Sequence, residues 1–152
     1  MVLQKQEIPL HKTPYRDTES TPEKSQGEIR RMLAKYGIQD IQFTHHGQTK
    51  LVMRMGVDAG DGHMNAYALD VPFLTTDTKG ERQAWRMLFW WLKAKLETLM
   101  FSFTDFETEM LPYRLVAGEN GPITVAQSIL PQLRAGGTDI DPFRPALPEG
   151  KR

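Results

Sequence analysis

No cysteine occurs in these 152 residues. That excludes disulfides, thiolate metal sites and cysteine nucleophiles within the chain, and it suits a reducing cytoplasm. Neither charge is in excess: 19 Lys and Arg balance 19 Asp and Glu. No overall field therefore draws the protein to nucleic acid or membrane, and any such binding needs a local patch. Long apolar runs are missing too. The longest, residues 87–92, falls far short of the roughly 20 apolar residues that a membrane-spanning helix needs. Gln4, Lys5, Gln6 and Glu7 give no apolar core of a signal peptide. The expectation is a cytoplasmic protein with no membrane partner.

Catalytic signatures are also lacking. There is no Gly-x-Ser-x-Gly elbow. Gly60-Asp61-Gly62 is followed by no Lys-Ser or Lys-Thr, so it is not a phosphate loop, and Asp58-Ala59-Gly60-Asp61-Gly62 lacks the later glutamate of a calcium loop. His45, His46, Asp58, Asp61 and His63 are read into two turns at one end of a meander, where they could meet around a metal. Adjacent histidines point apart, however, and the glycines suit turn chemistry. Glu97, Asp105, Glu107, Glu109 and Glu119 make the second half acidic. Glu107 and Glu109, two apart, do not share a helix face, and a solvated surface is expected. No catalytic residue, cofactor or metal ligand is assigned, and the chain is read as non-enzymatic.

What is present is apolar pattern. From residue 81 to 111, Trp85, Phe89, Leu92, Leu96, Leu99, Phe103, Phe106 and Met110 fall at alternating steps of four and three. This predicts one long helix with a continuous seam, widened by Leu88 and Trp91. Residues 102–105 are its weak point, where Thr104 or Asp105 would cap a second segment. Pro112 ends it.

The rest of the chain is read around that seam. Residues 1–20, polar and with Pro9 and Pro14, are expected to be a flexible or weakly docked tail. Ser25 with Glu28 reads as a capping box, with Thr21-Pro22 as an alternative start. The first helix carries Ile29, Met32, Leu33 and Tyr36 and stops at Gly37. Arg30, Arg31 and Lys35 fall off its apolar face and read as solvated. Strands are predicted at 38–44, 50–55 and 66–73, forming an antiparallel meander with one face on the long helix. A short strand near 113–117 leads through a turn at 118–121 to a capping box, Thr124 with Gln127, and a short helix interrupted by Pro131. Residues 137–152, with Pro142, Pro145 and Pro148, read as an extended tail. The prediction is one α+β domain over residues 21–136.

The long helix carries a second stripe. Arg82, Arg86, Trp90 and Lys93 recur at steps of four, four and three, with Lys79 and Lys95 nearby. Cations beside an exposed indole suit a nucleic-acid strand, pairing with phosphates while the ring stacks on a base. Lys79, Arg82, Arg86, Trp90, Lys93 and Lys95 are thus the candidate nucleic-acid-binding residues. The bland alternative is a Trp90 covered by another element and arginine stems lying over apolar surface.

Glu23-Lys24-Ser25 and residues 28–37, then Trp85-Arg86, residues 93–97 and 106–109, Thr124-Val125 and residues 130–133 together resemble, in order, a family of small phage and prophage proteins with no assigned activity. The second and third strands match more loosely, and Trp90-Trp91 departs from the pattern. The resemblance implies a mobile-element protein working inside a bacterial cell. The leading expectation is an accessory that binds nucleic acid, alone or within a nucleoprotein complex. The alternative is a protein-binding module such as an inhibitor of a host defence, or a homodimer paired through the seam.

Overall fold

The computed structural model describes residues 8–136. The order of elements is α1 (Pro22–Ala34), β1 (Asp40–His46), β2 (Lys50–Asp58), β3 (Met64–Pro72), α2 (Thr78–Met100), α3 (Phe106–Met110), β4 (Leu115–Gly118), β5 (Gly121–Thr124) and α4 (Val125–Arg134). Strands β1, β2 and β3 form an antiparallel meander in that order, and β4–β5 is a separate hairpin. The α+β layout expected from the pattern is thus present.

Alternation decides which side of the meander is buried. Leu51, Met53 and Met55 on β2 and Tyr67, Leu69 and Val71 on β3 all turn inward. They meet Trp85, Leu88, Leu92 and Leu96 of α2 and Ile29 and Leu33 of α1 in one core. Each aliphatic side chain buried there contributes about 1.5–3 kcal/mol. The Trp85 ring stands edge-on to Phe43 at 4.8 Å, a geometry that adds about 0.5–1.5 kcal/mol to the burial.

The long helix is shorter than its pattern. It begins at Thr78, capped by Asp77, whose carboxylate accepts from the Gly80 N–H at 2.9 Å. It ends at Met100. Ser102 then takes a left-handed φ of 54°, which no right-handed helix can pass through. Asp105 restarts the chain by accepting from the Thr108 N–H at 2.8 Å, so the expected weak point is a true break. Phe103 consequently leaves the seam and stands 83% exposed, while Phe106 and Met110 return to the core from α3. Burial rather than the break takes the seam away as a dimer face, because Trp85, Leu88, Leu92 and Leu96 are spent in this chain's own core.

Two other readings change. The first helix is capped by Thr21, whose hydroxyl accepts from the Lys24 N–H at 3.2 Å, and Ser25 and Glu28 serve another purpose described below. Within residues 1–20, the part from Thr13 to Asp17 is tied across the start of α2. Gln83 donates to Thr13 Oγ1 and to the Pro14 carbonyl at 2.8 and 2.7 Å, Arg16 reaches Thr75 and Asp77, and Lys79 reaches Asp17. The expected tails at 1–7 and 137–152 lie outside the described residues. At the other end, Thr124 and Gln127 form the predicted capping box of α4, with Pro131 inside the helix.

Candidate binding groove

Helices α1 and α2 lie side by side on the sheet and leave a groove between them on the outer surface. Its volume is about 700 Å³. Met32 of α1, Tyr36 in the turn after it, and Phe89, Leu96 and Met100 of α2 form an apolar floor and walls, and Glu28, Arg31, Lys35, Lys93 and Glu97 stand along the rim. Helix periodicity creates it. On α1, Ile29 and Leu33 take the core, which leaves Met32 and Tyr36, one position away, as a second apolar stripe turned toward α2. The Tyr36 hydroxyl donates to the Leu96 carbonyl at 3.2 Å and holds the two helices at that spacing. Along α2 the floor runs from Phe89 to Met100, about 16 Å at 1.5 Å per residue, or roughly three helical turns.

Arg86 lies behind the lining residues Glu28 and Phe89. Its side chain passes under α1, donating to Glu28 Oε2 at 2.8 Å and to Ser25 Oγ at 3.4 Å, with its guanidinium 4.2 Å from the centre of the Phe89 ring. Arg86 is only 8% exposed. The basic stripe read from the sequence therefore loses Arg86, because a guanidinium neutralised beneath a helix cannot meet a phosphate. Its neighbours fare differently. Lys79 pairs with Asp17 at 3.3 Å and Lys95 with Glu109 at 2.6 Å. The Lys95 ammonium also lies 5.4 Å from the Trp91 ring centre. Arg82 is half-buried, with its Nε enclosed and without a hydrogen-bond partner among the described residues. Trp90 is 41% exposed, and Lys93 lies 4.9 Å from its ring centre while reaching Glu97 at 3.7 Å. The stripe is therefore broken up. Trp90 and Lys93 remain at the surface, Lys93 on the groove rim, while three of the cations are held by carboxylates of other elements.

Arg31 and Lys35, four apart on α1, replace them at the rim. Neither makes an ion pair among the described residues. They were read as a solvated face. The signal that could have marked them is their register beside Met32 and Tyr36, which puts two cations at the edge of an apolar stripe. Since Glu28 is neutralised by Arg86 and Glu97 faces Lys93, the groove edge is left with an excess of positive charge.

Other candidate chemistry is dispersed. The β1–β2 turn carrying His46 and the β2–β3 loop carrying Asp58, Asp61 and His63 lie at opposite ends of the meander, because consecutive hairpins turn at alternate ends. The reading that placed them together is corrected. Among the described residues, no group of three or more His, Asp or Glu could hold a metal ion. His45 sits between the Phe73 and Trp85 rings, with Nε2 3.3 Å from Glu81. Of the acidic residues, Glu109 is engaged by Lys95, and Glu107 lies near Asn65. The Thr75 hydroxyl and Gly80 N–H hold the Asp77 carboxyl below its usual range, and the Thr108 N–H and hydroxyl do the same for Asp105. Burial pushes the Tyr67 phenol up. These three groups serve helix starts and the core and stand outside the groove. No helix among the described residues is long and apolar enough to cross a membrane. Compared with protein-family models, curated proteins and solved structures, the chain shows no significant match.

Proposed function

We propose that this chain is a non-enzymatic protein-binding module that receives an amphipathic helix, acidic on its polar side, in the groove between α1 and α2. The observation that carries this reading is the groove itself: an apolar trough about three turns long, edged by Arg31, Lys35 and Lys93. Helix-in-groove recognition uses this arrangement, with apolar anchors in the trough and charge at the rim setting direction and partner choice. Met32 and Met100 suit the role, since unbranched thioether side chains adapt to the anchor they meet. The resemblance to phage and prophage proteins gives the setting of the proposal, an accessory of a mobile element acting inside a bacterial cell.

Nucleic-acid binding stays as the second reading on one observation, the exposed Trp90 ring flanked by Lys93. It is the weaker reading because Arg86 and Lys95 are held by Glu28 and Glu109, although Lys79, in an exposed pair with Asp17, stays open to water.

The test labels the methionine methyl groups and follows them by NMR with three probes. These are a synthetic amphipathic helix of Leu and Glu, its Leu and Lys counterpart, and a single-stranded oligonucleotide. The Glu helix is expected to shift Met32 and Met100 and to change Trp90 emission, with affinity at least tenfold lower in Arg31→Glu/Lys35→Glu. An equal response to the Lys helix, or no response to the Glu helix, overturns the proposal. A steeply salt-dependent response to the oligonucleotide alone overturns it in favour of nucleic acid.

A further inference from the structure

The two edges of the meander are treated differently. At the β3 edge, Tyr67 bridges to Arg114, and the chain then runs on into the β4–β5 hairpin beside it. Among the described residues, the β1 edge carries no strand. Its pairing to β2 is continuous from Asp40↔Gly56 to His46↔Lys50, with no bulge, and its sequence, DIQFTHH, has no proline and no lysine. Edge strands left to solvent are normally blunted by those devices. Among the described residues, Arg30 of α1 is the one side chain from another helix or strand with a hydrogen bond to this edge, donating to the Ile41 carbonyl at 3.3 Å and covering the Phe43 ring.

We propose that β1 pairs edge to edge with β1 of a second copy of this chain, antiparallel and centred on Phe43, joining two meanders into one six-stranded sheet. The Arg30 contact shows that the Ile41 carbonyl points away from β2. Alternation then turns the N–H and C=O groups of Ile41, Phe43 and His45 outward. Centring on Phe43 sets these outward residues against one another, Ile41 opposite His45 and Phe43 opposite its copy, and forms about six backbone hydrogen bonds. Ile41 keeps a lone pair for the strand while Arg30 holds the other. On the sheet's other face, Gln42 stands opposite Thr44, and Asp40 opposite His46 at both ends, an acid facing an imidazole. The acid–imidazole match of Asp40 with His46, repeated at both ends, is what favours a second copy over an unrelated peptide. The two-fold axis stands perpendicular to the sheet, so both α1–α2 grooves open on one side. This pairing is independent of what the grooves bind. A seven-residue edge buries less than the roughly 800 Å² per partner of a standard interface, so the dimer forms at high concentration and dissociates on dilution.

The absence of cysteine makes the test clean. Gln42→Cys and Thr44→Cys proteins are mixed and oxidised. Both side chains are exposed, and their positions form a non-hydrogen-bonded cross-strand pair, about 4.5 Å between Cα atoms, within disulfide range. The mixed 42–44 disulfide is expected at least tenfold above either self-crosslink and above a Gln48→Cys control in the turn. In unmodified protein, hydrogen exchange at the Ile41, Phe43 and His45 amides is expected to slow as concentration rises. A statistical mixture of crosslinks, or exchange independent of concentration up to the millimolar range, overturns the proposal.

Discussion

The Arg86–Glu28 pair offers the sharpest test of how this fold uses charge. Arg86 sits beneath α1 with 9% of its side chain exposed, against 23% for Glu28, and the two meet at 2.8 Å. Breaking a buried pair leaves one charge without its partner, at a cost of about 3–5 kcal/mol when burial is complete. Glu28 keeps some water, so Glu28→Ala is expected to cost about 3 kcal/mol. With a denaturant slope near 1.5 kcal/mol per molar, that moves the urea midpoint down by about 2 M. Arg86→Met removes the buried charge and leaves apolar stem over Phe89, and should cost less, about 1–2 kcal/mol. The double variant should then be no worse than Glu28→Ala alone, giving a coupling energy of at least about 1 kcal/mol. Urea unfolding of the four proteins by tryptophan emission and circular dichroism measures all of this. If both single variants unfold within about 0.5 kcal/mol of the parent and their effects add, Arg86 is a solvated surface cation, and the burial argument against the basic stripe fails.

Gly80→Ala should destabilise strongly, because a Cβ there runs into the Thr75 carbonyl oxygen, which is backbone and cannot swing aside; a thermal midpoint unchanged within a degree would refute this. Leu92→Ala, at a site 1% exposed between the sheet and α1, should cost about 2–5 kcal/mol in urea unfolding. Asp77 has a folded pKa held below its ordinary 3.8. Its contribution is therefore full well above 3.8 and is lost as pH falls through the folded value. Asp77→Ala should lower the melting temperature at pH 7 by an amount that shrinks as pH falls below 3.8, and a difference that does not shrink contradicts the cap.

Much of the fold was legible because it rests on local periodicity. Alternation at Leu51, Met53 and Met55 and at Tyr67, Leu69 and Val71 identified the buried face of the meander, Gly37 marked a helix end through its left-handed backbone, and Asp105 and Thr124 marked helix starts through side chains that accept from free N–H groups. The basic stripe was not legible as what it is. Spacing says that Arg82, Arg86, Trp90 and Lys93 share one side of a helix, but not whether another helix lies on that side. The partner that buries Arg86 is Glu28, 58 residues away, and no local pattern links the two.

The sequence by itself determined most of the elements, though neither the split of the long helix into α2 and α3 nor strand β5, together with the inward faces of sheet and helix and the exclusion of thiol chemistry, since each follows from a residue type or a period of 2 or 3.6. Tertiary structure alone decided which charges are free. An ammonium or guanidinium looks the same in sequence whether it faces water or a carboxylate, and only the packing of α1 against α2, with α3 near the far end, neutralised Arg86 and Lys95. The same packing left Arg31, Lys35 and Lys93 along an apolar groove. A groove exists between two helices, and no single stretch of chain contains it.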